Sequence, residues 1–163
     1  MKVLHILPSY SISWGGPPQV VYELSKALVK KGVEVDILTT YDKMDELLPV
    51  PEGINLIKFK RDSFNINKLW KGFSFELLKR LKCIIKNYDI LHIHELWHFP
   101  HFLVYSIRKD NPYIVTIHGG LEPWCLTYKR FKKNLYSFVT QRRILEEAFA
   151  LHAITEEEVR NIC

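Results

Sequence analysis

At 163 residues, 47 % hydrophobic and 13 % aromatic, the chain has material for one buried core and so for one domain. A net charge of +5 favours anionic partners such as phosphate esters or an acidic membrane surface. The three cysteines, Cys83, Cys125 and Cys163, are far apart and form no CxxC pair, which argues against a disulfide framework or thiolate metal site and suits a reducing cytoplasm.

The opening MKVLHIL has too short an apolar stretch for a targeting signal and stops at Pro8. No later run approaches the roughly 20 apolar residues that span a bilayer. Strand-like runs follow in order at 2–7, 33–38, 54–59, 89–94, 113–118 and 149–154, most too uniformly apolar to have a wet face. Between them the spacing predicts helices. Val20, Val21, Leu24, Ala27 and Leu28 repeat at three and four, with Gly32 at the stop; residues 68–87 and 129–148 share the pattern, and 96–109 forms a shorter helix. Strand and helix in alternation imply a parallel sheet covered on both faces, that is, a doubly wound α/β domain of strand order 3-2-1-4-5-6.

In SWGGPPQVVYEL, Pro17 precedes Pro18 and is pushed from helical geometry, so Pro18 reads as the first helical residue with Gly15 and Gly16 just outside. The glycines either expose helix-end amides to a phosphate or simply make a tight strand-to-helix turn. This is not the dinucleotide fingerprint: the third glycine is missing and Asp36 lies inside its strand, which argues against NAD.

DILHIHELWHFPH concentrates His92, His94, Glu95, His98 and His101 and raises the question of a metal. The chain has no HExxH and no cysteines at metal spacing, so none is expected. VTIHGGLEPW places His118 at the end of the fifth strand with Gly119, Gly120 and Glu122 after it. A strand-end histidine is either structural or, at the carboxyl edge of an open α/β sheet, part of a ligand site. With strands one, four and five adjacent, SWGGPP, HELW and HGGLEPW converge on one rim.

A glycine pair opening the first helix, a DxxHxH fourth strand, a VTIHG fifth strand and the run AFALHAITEEE resemble the amino-terminal, Rossmann-like domain of glycosyltransferase family 4 enzymes, which have the GT-B fold. The resemblance covers essentially the whole chain. It implies retaining transfer of a sugar from a nucleotide-sugar donor to a hydroxyl acceptor, in surface polysaccharide or glycolipid synthesis, with no metal or other cofactor. On that basis Gly15 and Gly16 lie against the donor diphosphate or an acceptor phosphate, and His118 contacts the donor sugar near the reacting centre. His94, Glu95 and Trp97 line the acceptor cleft, with Gly119, Gly120 and Glu122 as further substrate-binding positions.

Members of that family carry a second, nucleotide-gripping domain marked by two glutamates eight positions apart, and no such pair occurs here. Thr155 and Glu158 form a capping-box signature that starts a helix close to Cys163. The expectation is therefore an isolated amino-terminal domain that is inactive alone and binds nucleotide sugars weakly. The alternative is a complete, non-catalytic binding module for a sugar phosphate or nucleotide. Lys129, Arg130, Lys132, Lys133, Arg142 and Arg143 form a basic helix, read either as a solvated face or as a contact for anionic membrane and a lipid-linked acceptor. No aromatic platform for nucleic acid accompanies it.

Overall fold

A computed structural model describes residues 1–62, 70–108, 110–122, 125 and 140–162. The strands are β1 (Lys2–Leu7), β2 (Glu34–Tyr41), β3 (Asn55–Lys60), β4 (Ile90–His94), β5 (Tyr113–Thr116) and β6 (Ala150–His152). They form a single parallel sheet of order β3-β2-β1-β4-β5-β6, the doubly wound arrangement expected from the alternation. The helices are α1 (Gly16–Lys30), α2 (Phe75–Ile85), α3 (Phe99–Ile107), α4 (Arg142–Glu146) and α5 (Glu156–Ile162), with a 3-10 turn at Ile12–Trp14 before α1.

Helix α1 begins at Gly16, with Gly15 as its N-cap, two residues earlier than the proline pair suggests. The four amides that open an α-helix have no partner within it. Here those positions are Gly15, Gly16, Pro17 and Pro18, and the prolines have no amide to leave unpaired. The bias against helical geometry before proline arises from the ring's contact with the preceding residue's amide group and β-carbon, and is a preference rather than a bar; Gly16 has no β-carbon to meet Pro17. Strand β5 stops at Thr116, so His118 lies past its end rather than on it. Helix α2 begins at Phe75, where Ser74 accepts from the amide of Leu77. Most of the basic helix expected over 129–148 lies outside the described residues; Arg142 and Arg143 belong to α4.

Strand alternation sorts the core. Leu4, Ile6, Leu91, Ile93, Tyr113 and Val115 join one apolar cluster with Leu77, Leu81 and Leu103 of α2 and α3. His5, His92, His94 and Thr116 occupy the alternate positions and face the other side of the sheet. There the apolar cluster of Leu7, Val21, Val35 and Ile37 gives way to histidines across β1 and β4. Register places His5 opposite His92, His94 opposite Thr116, and Thr116 opposite His152.

Candidate functional site

The loop from β1 to α1 is held rigidly. Ser9, Tyr10 and Ser11 are fully buried, Leu48 donates to the carbonyl of Tyr10, and Ile12 donates to that of Glu46. Gly15 has φ 101° and ψ −142°, a conformation open to glycine almost alone. A β-carbon on Gly15 or Gly16 would meet nothing within 4 Å. No side chain caps α1, which leaves its opening amides without a side-chain acceptor at the positive end of the helix.

Three non-glycine residues among those described have left-handed backbones: Glu95 (φ 73°), Trp97 (φ 68°) and His118 (φ 49°). All three follow β4 or β5 and all belong to the expected site. Such geometry costs of order 1–3 kcal/mol per residue and persists where its surroundings hold it. Here the ties are visible. The Glu95 amide donates to the Thr116 carbonyl at 2.9 Å, and the Trp97 indole donates to the Gly120 carbonyl at 3.1 Å. Trp97 N donates to Gln141 Oε1 at 3.3 Å, while the Gly119 amide donates to the carboxylate of Glu158.

The first loop joins the others through Trp14, whose indole N–H reaches both oxygens of Glu95 at 3.0 and 2.9 Å. Burial pushes the Glu95 carboxyl up to about 7, against the opposing pull of the Trp14 hydrogen bond and Lys71. Lys71 and Arg61 each lie over the Trp14 ring, 5.1 and 5.6 Å from its centre. Arg61 is itself paired with Asp45 at 2.9 Å. It also borders an open hollow of about 490 Å³ off the ends of β2 and β3, lined by Lys60, Asp62, Ser74 and Glu76 among others.

His118 Nε2 hydrogen-bonds with His94 Nδ1 at 3.1 Å, and His94 Nε2 with His5 Nδ1 at 2.8 Å. His92 Nε2 is held by Thr116 Oγ1 at 2.7 Å, which in turn meets His152 Nδ1 at 2.9 Å. Burial lowers His5 and His118 to about 4 and His101 to about 3, and takes His94 well below the usual histidine range. For His118, Glu158 pulls upward against that burial and His152 adds to the lowering. At neutral pH these rings are uncharged, so His118 can donate or accept a hydrogen bond but brings no cation. His5, His92 and His94 each bring one nitrogen within 4.8 Å of the others. The facing nitrogens of His5 and His94 already share a proton and His92 is held by Thr116, so these donors serve one another.

The structure brings Gly15, Gly16, Glu95, Trp97, His118 and Gly119 to one rim. Other expected positions lie differently. His94 is fully buried and supports His118 from below rather than lining a cleft. Gly120 is packed: a β-carbon there would come within 2.9 Å of Leu96 Cδ1 and 3.0 Å of the Ile117 carbonyl. Glu122 donates its amide to the Gly119 carbonyl and closes the turn. Trp14, His5 and Glu158 carry much of the architecture and were not singled out by sequence, though Glu158 appears in the capping box. Its amide donates to the capping Thr155 Oγ1 at 3.1 Å, while its carboxylate accepts from the amides of Ile154, at 2.8 Å, and Gly119.

O-antigen chain mannosyltransferase C of Escherichia coli is 32 % identical over 122 residues, covering 74 % of this chain and 32 % of that protein. D-rhamnosyltransferase WbpZ of Pseudomonas aeruginosa is 26 % identical over 123 residues, covering 74 % and 31 %. The chain thus spans about a third of the length of these relatives. Among solved structures, sucrose-phosphate synthase from Thermosynechococcus elongatus matches 98 % of the chain and 43 % of its own at 16 % identity, with a TM-score of 0.66. Anabaena HepE in complex with UDP-glucose matches 99 % and 40 % at 13 % identity, with a TM-score of 0.56. These two share the fold, an α/β Rossmann-like domain with GT-B glycosyltransferases as neighbours. The family model for Glycosyltransferase Family 4 matches residues 14–163, and the chain belongs to glycosyltransferase family 4.

Proposed function

We propose that this chain is the acceptor-side, amino-terminal domain of a retaining glycosyltransferase, acting in the cytoplasm to move a sugar from a nucleotide-sugar donor to a hydroxyl acceptor during surface polysaccharide or glycolipid synthesis. The observation that carries it is the tying of three glycine-bearing or strained loops into one rim, with bare amides of α1 on one side and a neutral, partly exposed His118 on the other. The names of the mannosyl- and rhamnosyltransferase relatives support the polysaccharide setting.

In this reading the Gly15 and Gly16 amides accept the charge of a diphosphate or of an acceptor phosphate, and His118 holds a hydroxyl of the transferred sugar in place beside the reacting bond. Glu95, fixed by Trp14, and Trp97 bound the acceptor side. The chemistry calls for no metal. A helix terminus contributes roughly 0.3 to 2 kcal/mol to an anion, and two of the four opening positions are prolines. Micromolar affinity requires about 8 kcal/mol, so tight donor binding needs a second domain. A basic surface over 129–143 meets anionic lipid; none of the helices among the described residues is long and apolar enough to cross a membrane.

The test is sugar transfer by the full-length enzyme bearing this domain, assayed with labelled nucleotide sugars against lipid-linked and free acceptors. Transfer with retained anomeric configuration, lowered about 100-fold or more by His118→Ala, is expected. Full turnover in that variant would remove His118 from the reaction.

A further inference from the structure

Five of the chain's seven histidines form one connected group on the sheet, and the proposed reaction uses only His118. The other two members of its own line, His94 and His5, are both completely buried. The line runs from His5 Nδ1 to His94 Nε2, and from His94 Nδ1 to His118 Nε2. A neutral imidazole carries one N–H and one bare nitrogen. Along such a line every N–H must therefore point the same way, because two protons or two lone pairs facing each other would break a bond. Only two arrangements exist, and they leave opposite nitrogens on His118 protonated.

The buried end distinguishes them. His5 Nε2 is sealed in the interior with no hydrogen-bond partner among the described residues, and the His5 ring lies 5.0 Å between centres from both His92 and His94. If the protons pointed inward, His5 Nε2 would carry a stranded N–H, and orphaned buried N–H groups are rare. If they point outward, that position is a bare nitrogen and every N–H in the buried part of the line is used. Thr116 holds His92 Nε2, so that nitrogen is already engaged.

We infer that His94, its inner nitrogen sealed against the buried His5, is a positioning residue that locks His118 into the tautomer with a protonated Nδ1, so that the site offers a fixed hydrogen-bond donor rather than an acceptor. Resting on the glycosyl-transfer reading, this donor faces an oxygen of the sugar or of the leaving phosphate, and a ligand whose corresponding group is only a donor is rejected.

Ring-nitrogen spectra of the chain labelled with nitrogen-15 histidine test the inference, since two-bond proton–nitrogen correlations separate protonated from bare nitrogens; His118→Gln identifies the His118 signals. At pH 7.5 the wild-type chain is expected to show His118 with protonated Nδ1 and bare Nε2. His94→Leu, which removes the donor facing His118 Nε2, is expected to collapse this to an averaged pair, whereas His5→Leu leaves His94 Nε2 as the sealed bare nitrogen and the His118 pattern as it was. An averaged pair or a protonated Nε2 in the wild type overturns the inference, whether or not the variants fold, and so does an unchanged pattern in a folded His94→Leu chain. Absence of sugar transfer by the full-length enzyme would sink the functional reading and leave this spectrum unaffected.

Discussion

The indole of Trp14 meets both carboxylate oxygens of Glu95 across 81 positions of sequence. This contact makes the loop before α1 and the loop after β4 a single mechanical unit. Trp14→Phe keeps the ring and removes the N–H, leaving a buried carboxyl without that donor, at a cost of about 1–3 kcal/mol. Hydrogen exchange is expected to rise at Ile12–Gly16 and at Glu95–Trp97, while the strand amides stay protected. Equal protection in the two loops would show that the contact holds nothing.

Gly15 and Gly16 separate by what replaces their hydrogens. Gly15→Ala forces a side chain into a glycine-only conformation and is expected to cost about 1–3 kcal/mol. Gly16→Ala has no positive φ and meets no atom beyond its chain neighbours, but its β-carbon would face the Pro17 ring in helical geometry, so thermal stability is expected to hold or fall slightly. Its methyl would occupy the space in front of the helix end, and weak binding of pyrophosphate, followed by chemical-shift titration, is expected to fall at least about threefold. Unaltered titration would leave Gly16 as a turn residue only.

Stability is expected to fall steeply as the solution is acidified below pH 6.5. His5 and His118 titrate near 4 and His101 near 3 when folded, against 6.5 when unfolded, so the unfolded chain binds more protons in this window and is favoured as pH drops. One pKa unit corresponds to 1.36 kcal/mol, which makes His5 alone worth about 3 kcal/mol across it. Glu95 works oppositely: its raised value, about 7, contributes stability at acid pH that is lost as pH rises through 7. Several histidines outweigh one carboxyl. Denaturant midpoints between pH 7.5 and 4 check the slope, and a flat profile would contradict it.

The same sign fixes the behaviour of Glu95→Gln. Above pH 7 it removes the cost of an ionised buried carboxyl while keeping an oxygen for Trp14, so the variant is expected to be more stable than wild type at pH 8, by at most about 3 kcal/mol. Near pH 4.5 the two should melt together. A gain that is the same at both values would exclude ionisation as its cause.

Glu158→Gln replaces one of two oxygens that accept from Gly119 and Ile154 with a donor facing a donor. A loss of about 1–3 kcal/mol is expected, with exchange at Gly119 rising most. A full-stability variant would show that the last helix is not what holds the histidine loop.

The sheet, its strand order and the gathering of loops at one rim were legible because six apolar runs alternate with amphipathic ones. The rim's internal ties were not. Trp14 and Glu95 share no local pattern, and a hydrogen bond between distant loops leaves no periodic trace. The family resemblance put His94 in the acceptor cleft, yet its alternation with Leu91 and Ile93 and its hydrogen bond to His5 turn its ring inward. The proline pair misled by two residues over the start of α1, because the bias of a residue before proline away from helical geometry is a preference that Gly16 and Pro17 do not follow here.

The two borders of the sheet differ in how they meet a foreign strand. β3 presents exposed Lys58 and Lys60 along its edge, and β6 is only three residues long. Charge on one border and brevity on the other leave little template for a second chain to zip onto. Fibre growth by edge addition is thereby discouraged at both sides, and a change such as Lys58→Val would weaken that guard without touching the rim where the loops meet.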